Sequence, residues 1–263
     1  MLSWRWIALI PTLALLAPQE SQPTAPQRHA IATGFLHKTL SLGEAEYDYC
    51  VYVPPEYTPD KPWPVILFLH GSGECGRDGF LQTDVGIARA IRRYRYFFPA
   101  IVVMPQCRPG TSWSGPMAHM ALASVEATSR EYYLDADRLY LTGLSLGGQG
   151  TWLLGAQYAD QFAALVPICG FVELGESTGQ AEKLVPHLAN MPIWCFHGDT
   201  DRSVPVVKAR EMVKLLKAAG GQVKYTEYEG VSHNSWDRAY KTPELWQWLF
   251  TQRRSDRNKD GGG

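Results

Sequence analysis

The chain has 263 residues, enough for one sizeable hydrophobic core or two small ones. Apolar residues make up 45% of the sequence and charged residues 19%, which excludes a disordered polyelectrolyte. The 25 basic and 26 acidic side chains leave a net charge of -1, so no global charge favours nucleic acid or an anionic membrane as a partner.

The N-terminal stretch begins with a short basic head and continues into an apolar run at 7–17. That run is short for a bilayer span and contains Pro11, which favours a signal peptide over residues 1–17. A polar, Pro-rich linker follows at 18–27. The predicted location is therefore secreted or periplasmic, without stable membrane association. Because Leu15 is bulky for a cleavage signal, an uncleaved N-terminal anchor is the alternative.

After the linker, the sequence pattern predicts a hairpin followed by alternating strands and helices. Extended segments at 31–40 and 47–53, joined by a turn around Gly43, indicate an N-terminal antiparallel hairpin. After a Pro-rich loop, short apolar runs alternate with helical patterns. The apolar runs are 65–69, 100–104, 138–142, 164–169, 193–196 and 223–228. The helical stretches are 85–93, 117–131, 147–158, 181–188, 206–219 and a last helix after Pro243.

Strands that are apolar throughout are buried on both faces, and helices between them make the sheet mostly parallel. We therefore predict one α/β domain over residues 28–252, with helices on both faces of the sheet, and a flexible tail over 253–263. The connection at 170–190 is short, so no large cap over the sheet is expected. The sequence does not indicate an oligomeric state.

The five cysteines are an odd number, which excludes a scaffold built on disulfides. Cys169 and Cys195 lie in apolar strand-like runs and are expected to be buried. Cys75 and Cys107 lie in loop-like stretches, and in an exported protein they could pair. Spacing alone does not decide between a pair and two free thiols. No Cys-x-x-Cys or paired-His spacing indicates zinc.

A candidate nucleophile follows the apolar run at 138–142, in the order strand, Gly143-Leu-Ser-Leu-Gly147, helix. This order is the context that a nucleophile elbow requires. In such an elbow the hydroxyl of Ser145 stands exposed above the sheet at the tip of a sharp turn. The helix N-terminus beneath it favours the negative charge that develops during attack on a carbonyl.

Candidate partners of Ser145 come from loops after two later strands, in the order Ser, acid, His. The strand at 193–196 is followed by Asp199 and Asp201, and the strand at 223–228 is followed by His233. Open α/β sheets place their sites at the carboxyl ends of strands. His233 would accept the serine proton, and one of the two acids would orient the imidazole.

An oxyanion hole is predicted at the Gly-rich loop Leu69-His-Gly-Ser-Gly-Glu74, which follows a buried strand. Backbone N–H groups of such a loop can point at a carbonyl oxygen. We expect one donor to be the amide of Leu146, directly after the nucleophile, and the second to be the amide of Ser72, with Gly73 as the next candidate. His70 is expected to hold the loop rather than act as a base.

These motifs together resemble the α/β-hydrolase superfamily, and more closely the secreted serine esterases and predicted peptidases of the polyhydroxybutyrate-depolymerase and feruloyl-esterase type. The likeness runs in order over nearly all of residues 51–248. In such families the acid lies in a His-Gly-x-x-Asp-x-x-Val-Pro pattern, which implies Asp201 rather than Asp199. The elbow carries Ser, whereas the similar dienelactone hydrolases carry Cys. Cys75 departs from the relatives, which often have a basic residue there.

The resemblance implies a secreted serine hydrolase that cleaves carboxylic esters through an acyl-enzyme, with no cofactor and no metal. The alternatives are a peptidase or acyltransferase on the same triad, or a non-catalytic binding protein of this fold. Nine Trp residues indicate either a large core or an aromatic-lined site. Trp113 and Trp236 lie in loops near the predicted triad, so we expect them to line a site for bulky or carbohydrate-linked esters, free or on a polymer.

Overall fold

The structure, a computed structural model, describes residues 31–172 and 179–258. The predicted signal peptide and linker, at 1–17 and 18–27, lie outside the described residues.

An antiparallel hairpin opens the fold, as the sequence predicts. Strand β1 (Gly34–Leu42) pairs with β2 (Ala45–Val53) around a turn in which Gly43 has a φ of 61°, a conformation that favours glycine. Strand β1 is half-buried at the sheet edge, whereas the last five residues of β2 are buried, since β2 also pairs with a central strand.

Eight strands form one sheet in the order β1-β2-β4-β3-β5-β6-β7-β8. Strand β2 runs antiparallel to β4, and all pairs from β4 to β8 are parallel, which confirms the predicted α/β class. The remaining strands are β3 (Trp63–Leu69), β4 (Ile101–Pro105), β5 (Leu134–Leu144), β6 (Ala164–Ile168), β7 (Ile193–Gly198) and β8 (Val223–Tyr228).

Helices cover both faces of this sheet. They are α1 (Ile87–Tyr94), α2 (Pro116–Ser129), α3 (Leu146–Gln157), α4 (Gln180–Leu188), α5 (Val207–Ala218), α6 (Trp236–Ala239) and α7 (Pro243–Thr251). Six of them match predicted helices. Helix α6 is a single turn, too short to show a helical period in the sequence. None of the helices within the described ranges has the length and hydropathy of a bilayer span.

Two hydrophobic cores lie on opposite faces of the sheet, and the central strands feed both. In β3 the side chains of Ile66 and Phe68 belong to one core, and those of Leu67 and Leu69 belong to the other. All seven residues of β3 are buried. This explains why the strand is apolar throughout rather than alternating.

The predicted flexible tail is wrong for its first part. Residues Arg254–Asn258 form a 3-10 helix that is bound to the domain. The Arg257 guanidinium donates to the carbonyl oxygens of Ala159 and Phe162, both at 2.6 Å, and the hydroxyl of Ser255 donates to Asp137. The polar sequence of this segment predicts chain exposed to solvent, but the Arg257 side chain instead donates to backbone carbonyls of the domain. Residues 259–263 lie outside the described residues.

Candidate active site

Ser145 occupies the sharp turn between β5 and α3. Its φ is 53°, in the left-handed region that side-chain-bearing residues rarely adopt and that costs about 1–3 kcal/mol. Two backbone hydrogen bonds hold it there: the Ser145 N–H donates to Ile168 O at 3.0 Å, and its carbonyl accepts from Gln149 N at 2.9 Å. The neighbouring parallel strand and the new helix therefore fix the turn.

The glycines on either side of Ser145 are required by close backbone approach. A Cβ atom on Gly147 would overlap the carbonyl oxygen of Leu69, at the end of β3, and a Cβ on Gly143 would overlap that of Gly147. These overlaps are with backbone, which cannot move aside without shifting the sheet. The Gly-x-Ser-x-Gly spacing is therefore a packing requirement of this turn.

Three side chains from three loops meet above the carboxyl ends of the strands. The Nε2 atom of His233 lies 2.9 Å from the Oγ of Ser145, and its Nδ1 lies 2.7 Å from Oδ2 of Asp201. The Asp201 side chain is fully buried, and that of His233 is 24% exposed. With Nδ1–H donating to the carboxylate, Nε2 is the acceptor for the serine hydroxyl, the tautomer that a general base needs.

Asp201 is held by N–H donors on both of its oxygens. Oδ1 accepts from the backbone amides of Ser203 and Val204 at 2.8 and 2.9 Å. Oδ2 lies 2.7 Å from His233 and also 3.2 Å from Nε2 of His197. Four donors thus replace the water that a buried carboxylate loses.

The structure brings Asp201 to His233, and Asp199 is engaged elsewhere. The Asp199 N–H donates to the carbonyl of Tyr228, which ties the loop after β7 to the end of β8. Within the described residues the Asp199 Oδ1 is buried without a hydrogen-bond partner. Of the two acids that follow β7, Asp201 is the one that faces His233.

His197 is a site residue to which the sequence analysis assigned no role. Its side chain is fully buried, and Nε2 lies 2.9 Å from the carbonyl oxygen of Val204 as well as 3.2 Å from Asp201. Both neighbours are acceptors, so Nε2 carries the proton. Burial lowers the pKa of His197 and keeps the ring neutral. Its four-residue spacing to Asp201 was the only sequence signal of this contact.

The loop after β3 lies against the nucleophile. A Cβ atom placed on Gly71 would lie 3.6 Å from the Cβ of Ser145. Residues Ser72–Glu74 then form a 3-10 turn closed by Glu74 N–H to Gly71 O. No backbone acceptor within the described residues binds the amides of Ser72 and Leu146, the two expected oxyanion donors.

His70 anchors this loop as a neutral side chain. Its Nδ1–H donates to Gly71 O at 2.6 Å, and its Nε2 accepts from the backbone amide of Cys107 at 2.9 Å. Burial lowers its pKa to about 4, so both hydrogen bonds persist at neutral pH. The expectation that His70 holds the loop agrees with these contacts.

Trp113 does not line the site, which corrects the sequence prediction. Only 1% of its surface is exposed, its indole N–H donates to the carbonyl of His70 at 3.0 Å, and its ring stands edge-on to the His70 imidazole. It therefore packs beneath the oxyanion loop. Trp236 is partly exposed at the start of α6, with its ring 5.5 Å from that of His233, and it stays a candidate for the substrate wall.

A possible metal-ligand set was tested at the triad itself. One donor atom each of Cys169, Asp201 and His233 lie within 4.8 Å of one another. Burial raises the pKa of the Cys169 thiol to about 12. The other two residues already form a hydrogen bond with each other, between His233 Nδ1 and Asp201 Oδ2. The donor chemistry therefore fits a triad better than a metal site.

The chain was compared with known proteins. A family profile described as phospholipase/carboxylesterase matches residues 119–242. The chain is 27% identical to an uncharacterized secreted protein of Arthroderma benhamiae, over 74% of this chain and 24% of that protein. It is 26% identical to a bifunctional acetylxylan esterase/xylanase of Neocallimastix patriciarum, over 76% and 28%. The chain thus spans about a quarter of these relatives.

Among solved structures, a thermostable esterase superposes with a TM-score of 0.72 and 36% identity, over 83% of this chain and 63% of that one. The sheet order, the sharp turn at Ser145 and this structural match agree on the class of fold: the chain has the α/β-hydrolase fold. The relatives that it resembles in sequence and in structure include esterases.

Proposed function

We propose that this chain hydrolyses carboxylic esters through an acyl-enzyme on Ser145, with His233 as general base and acid and Asp201 as its orienting carboxylate. The observation that carries the proposal is the 2.9 Å contact between Ser145 Oγ and His233 Nε2. A serine hydroxyl is a weak nucleophile until a base within this reach accepts its proton.

Acylation starts when Ser145 Oγ attacks the ester carbonyl and His233 Nε2 takes the hydroxyl proton. The imidazolium that forms lies 2.7 Å from Asp201, whose charge stabilises it. The carbonyl oxygen becomes an oxyanion, and the amides of Leu146 and Ser72 are proposed to donate to it. His233 then protonates the departing alcohol, which leaves the acyl group on Ser145.

Deacylation repeats these steps with water as the nucleophile. His233 removes a proton from water, the hydroxide attacks the acyl carbonyl, and the same two amides receive the second oxyanion. Collapse releases the carboxylic acid and returns the proton to Ser145 Oγ. Each proton moves between Nε2 and an oxygen, so the cycle begins and ends with Nε2 unprotonated.

The proposed substrates are esters of bulky or carbohydrate-linked alcohols, free or on a polymer. Support comes from the acetylxylan esterase/xylanase relative and from the partly exposed ring of Trp236 beside His233. Export is proposed from the N-terminal pattern at 1–17, and a secreted relative supports it. Residues 28–252 are proposed as the catalytic domain.

Hydrolysis of p-nitrophenyl acetate and butyrate by the full chain tests the proposal. Ser145→Ala should lose at least about 10³-fold in kcat and all labelling by a fluorophosphonate. Ser129→Ala, an exposed serine at the end of α2, is the matched control and should behave as wild type. An inactive and unlabelled wild type would overturn the enzyme proposal.

A panel of acetylated, feruloylated, polyester and peptide substrates separates the alternatives. Hydrolysis of the first three classes with no cleavage of peptides supports an esterase. Faster turnover of peptides than of any ester would favour a peptidase on the same triad.

A further inference from the structure

Two cysteines meet beside the oxyanion loop. Cys75 follows the Ser72–Glu74 turn, and Cys107 follows strand β4. The backbone of Cys107 is bonded to both ends of the loop: its N–H donates to His70 Nε2, and its carbonyl accepts from Gly76 N–H, both at 2.9 Å. Because Gly76 directly follows Cys75, this last hydrogen bond places the backbone of Cys75 beside that of Cys107.

The two thiols are close enough to perturb each other: burial and the neighbouring Cys107 raise the pKa of Cys75, whereas burial raises the pKa of Cys107 and the neighbouring Cys75 lowers it. The Cys107 Sγ also lies 3.1 Å from Thr111 Oγ1, and the Cys75 Sγ lies 4.0 Å from Gly71 O. Of the five cysteines, Cys75 is the one that solvent reaches, since the other four are buried.

We propose that Cys75 and Cys107 form a disulfide under oxidising conditions and that this bond fixes the oxyanion loop to the loop after β4. Both cysteines are free in this structure, and the hydrogen bond from Gly76 N–H to the Cys107 carbonyl holds their backbones side by side, as a disulfide between them requires. The crosslink concerns the stability of the loop and does not depend on the proposed ester chemistry.

The reaction needs a small-molecule disulfide, such as oxidised glutathione, as oxidant. The Cys75 thiolate attacks one sulfur of this oxidant and expels one glutathione thiolate. The Cys107 thiolate then attacks the Cys75 sulfur of the mixed disulfide and expels the second. Two protein S–H bonds are lost and one S–S bond forms, while two glutathione thiols take up the two electrons and two protons.

Access and acidity set the rate of this exchange. Burial and the neighbouring Cys107 raise the pKa of Cys75 to about 11, so little thiolate is present at neutral pH. Oxidation should therefore accelerate about tenfold for each pH unit between 7 and 10, because the thiolate is the attacking species.

The test oxidises the full chain with oxidised glutathione at pH 9 and compares it with chain kept reduced. We expect an intact mass lower by two hydrogens, a peptide in which Cys75 is linked to Cys107, and a thermal midpoint higher by roughly 5–10 °C, since the bond closes a loop of about 30 residues. Cys75→Ser should lack both the link and the gain. Cys50→Ala, on β2, is the control and should keep them.

Three outcomes would overturn the proposal. They are an oxidised chain that retains five alkylatable thiols, Cys75 joined only to glutathione, or Cys75 joined to a second chain. None of these results bears on the hydrolysis of p-nitrophenyl esters, so the disulfide and the proposed function fail or survive separately.

Discussion

The substitution Asp201→Asn changes one atom and should remove the base from the site. The Asp201 Oδ1 accepts two backbone amides, from Ser203 and Val204, which cannot turn away. An asparagine must therefore keep its oxygen at Oδ1 and place its NH₂ group at Oδ2. That NH₂ donates toward His233 Nδ1, which must then lose its proton and become an acceptor. The proton moves to Nε2, and Ser145 faces a donor instead of a base.

The expected loss follows from this tautomer change. Triads in which the acid becomes an amide lose about 10⁴-fold in kcat, equivalent to about 5.4 kcal/mol of transition-state stabilisation. We expect a loss of this size for Asp201→Asn with little change in KM, because no substrate contact is removed.

The assay measures kcat and KM with p-nitrophenyl acetate at pH 7.5. Asp199→Asn is the matched control, since Asp199 lies two positions away in the same loop and the carboxylate that bonds His233 is that of Asp201. It should stay within about tenfold of wild type, a margin of about 1.4 kcal/mol. A loss below tenfold for Asp201→Asn, or a larger loss for Asp199→Asn, would refute the reasoning.

Three further predictions concern neighbouring groups. His197→Leu removes a donor to a buried carboxylate and should lower kcat about tenfold at unchanged KM, whereas His197→Gln, which can restore the donor, should lose less than about threefold. Burial holds the pKa of His70 at about 4 in the fold, below its ordinary 6.5. The stability that neutral His70 contributes is complete above pH 6.5 and is lost as the pH falls through 4. In urea titrations, wild type should therefore lose up to about 3 kcal/mol more unfolding free energy than His70→Asn between pH 7 and pH 4. Burial raises the pKa of Glu74, whose stabilising effect exists at low pH and is lost as the pH rises through the folded pKa, so Glu74→Gln should melt above wild type at pH 8 but not at pH 4.

Each of these predictions has a contradicting result. Equal kcat losses in the Leu and Gln variants of His197 would mean that Nε2–H donation is not what matters. Urea titrations of wild type and His70→Asn that stay parallel from pH 7 to pH 4 would mean that His70 is not held neutral. A Glu74→Gln variant less stable than wild type at pH 8 would mean that ionisation of the Glu74 carboxyl does not destabilise the fold.

Local rules explain why the turn around Ser145 leaves a pattern in the sequence. The glycines around Ser145 are required by backbone overlap with the end of β3, and such a requirement leaves a fixed spacing in the sequence. Likewise, the continuous apolar character of β3 follows from its place between two cores. Features that backbone packing or burial on two faces requires can therefore be predicted from the sequence alone.

The misplaced features depend on contacts between distant segments. Trp113 was expected beside the substrate, because a tryptophan in a loop has no periodicity that reveals which way its ring turns; its N–H partner is the carbonyl of His70, 43 positions earlier. Arg257 lies in a polar segment whose acceptors are carbonyls of a different loop. The role of His197 likewise emerges only once its loop folds around Asp201.

Trapping the acyl group tests the central claim most directly. The full chain is mixed with excess p-nitrophenyl acetate, quenched in acid within milliseconds and digested, and the peptides are analysed by mass spectrometry. We predict one acetyl group, on Ser145, that disappears as substrate is exhausted and is absent from Ser145→Ala. Steady ester turnover without an acyl group on Ser145, or with the acyl group on another residue, would contradict the account.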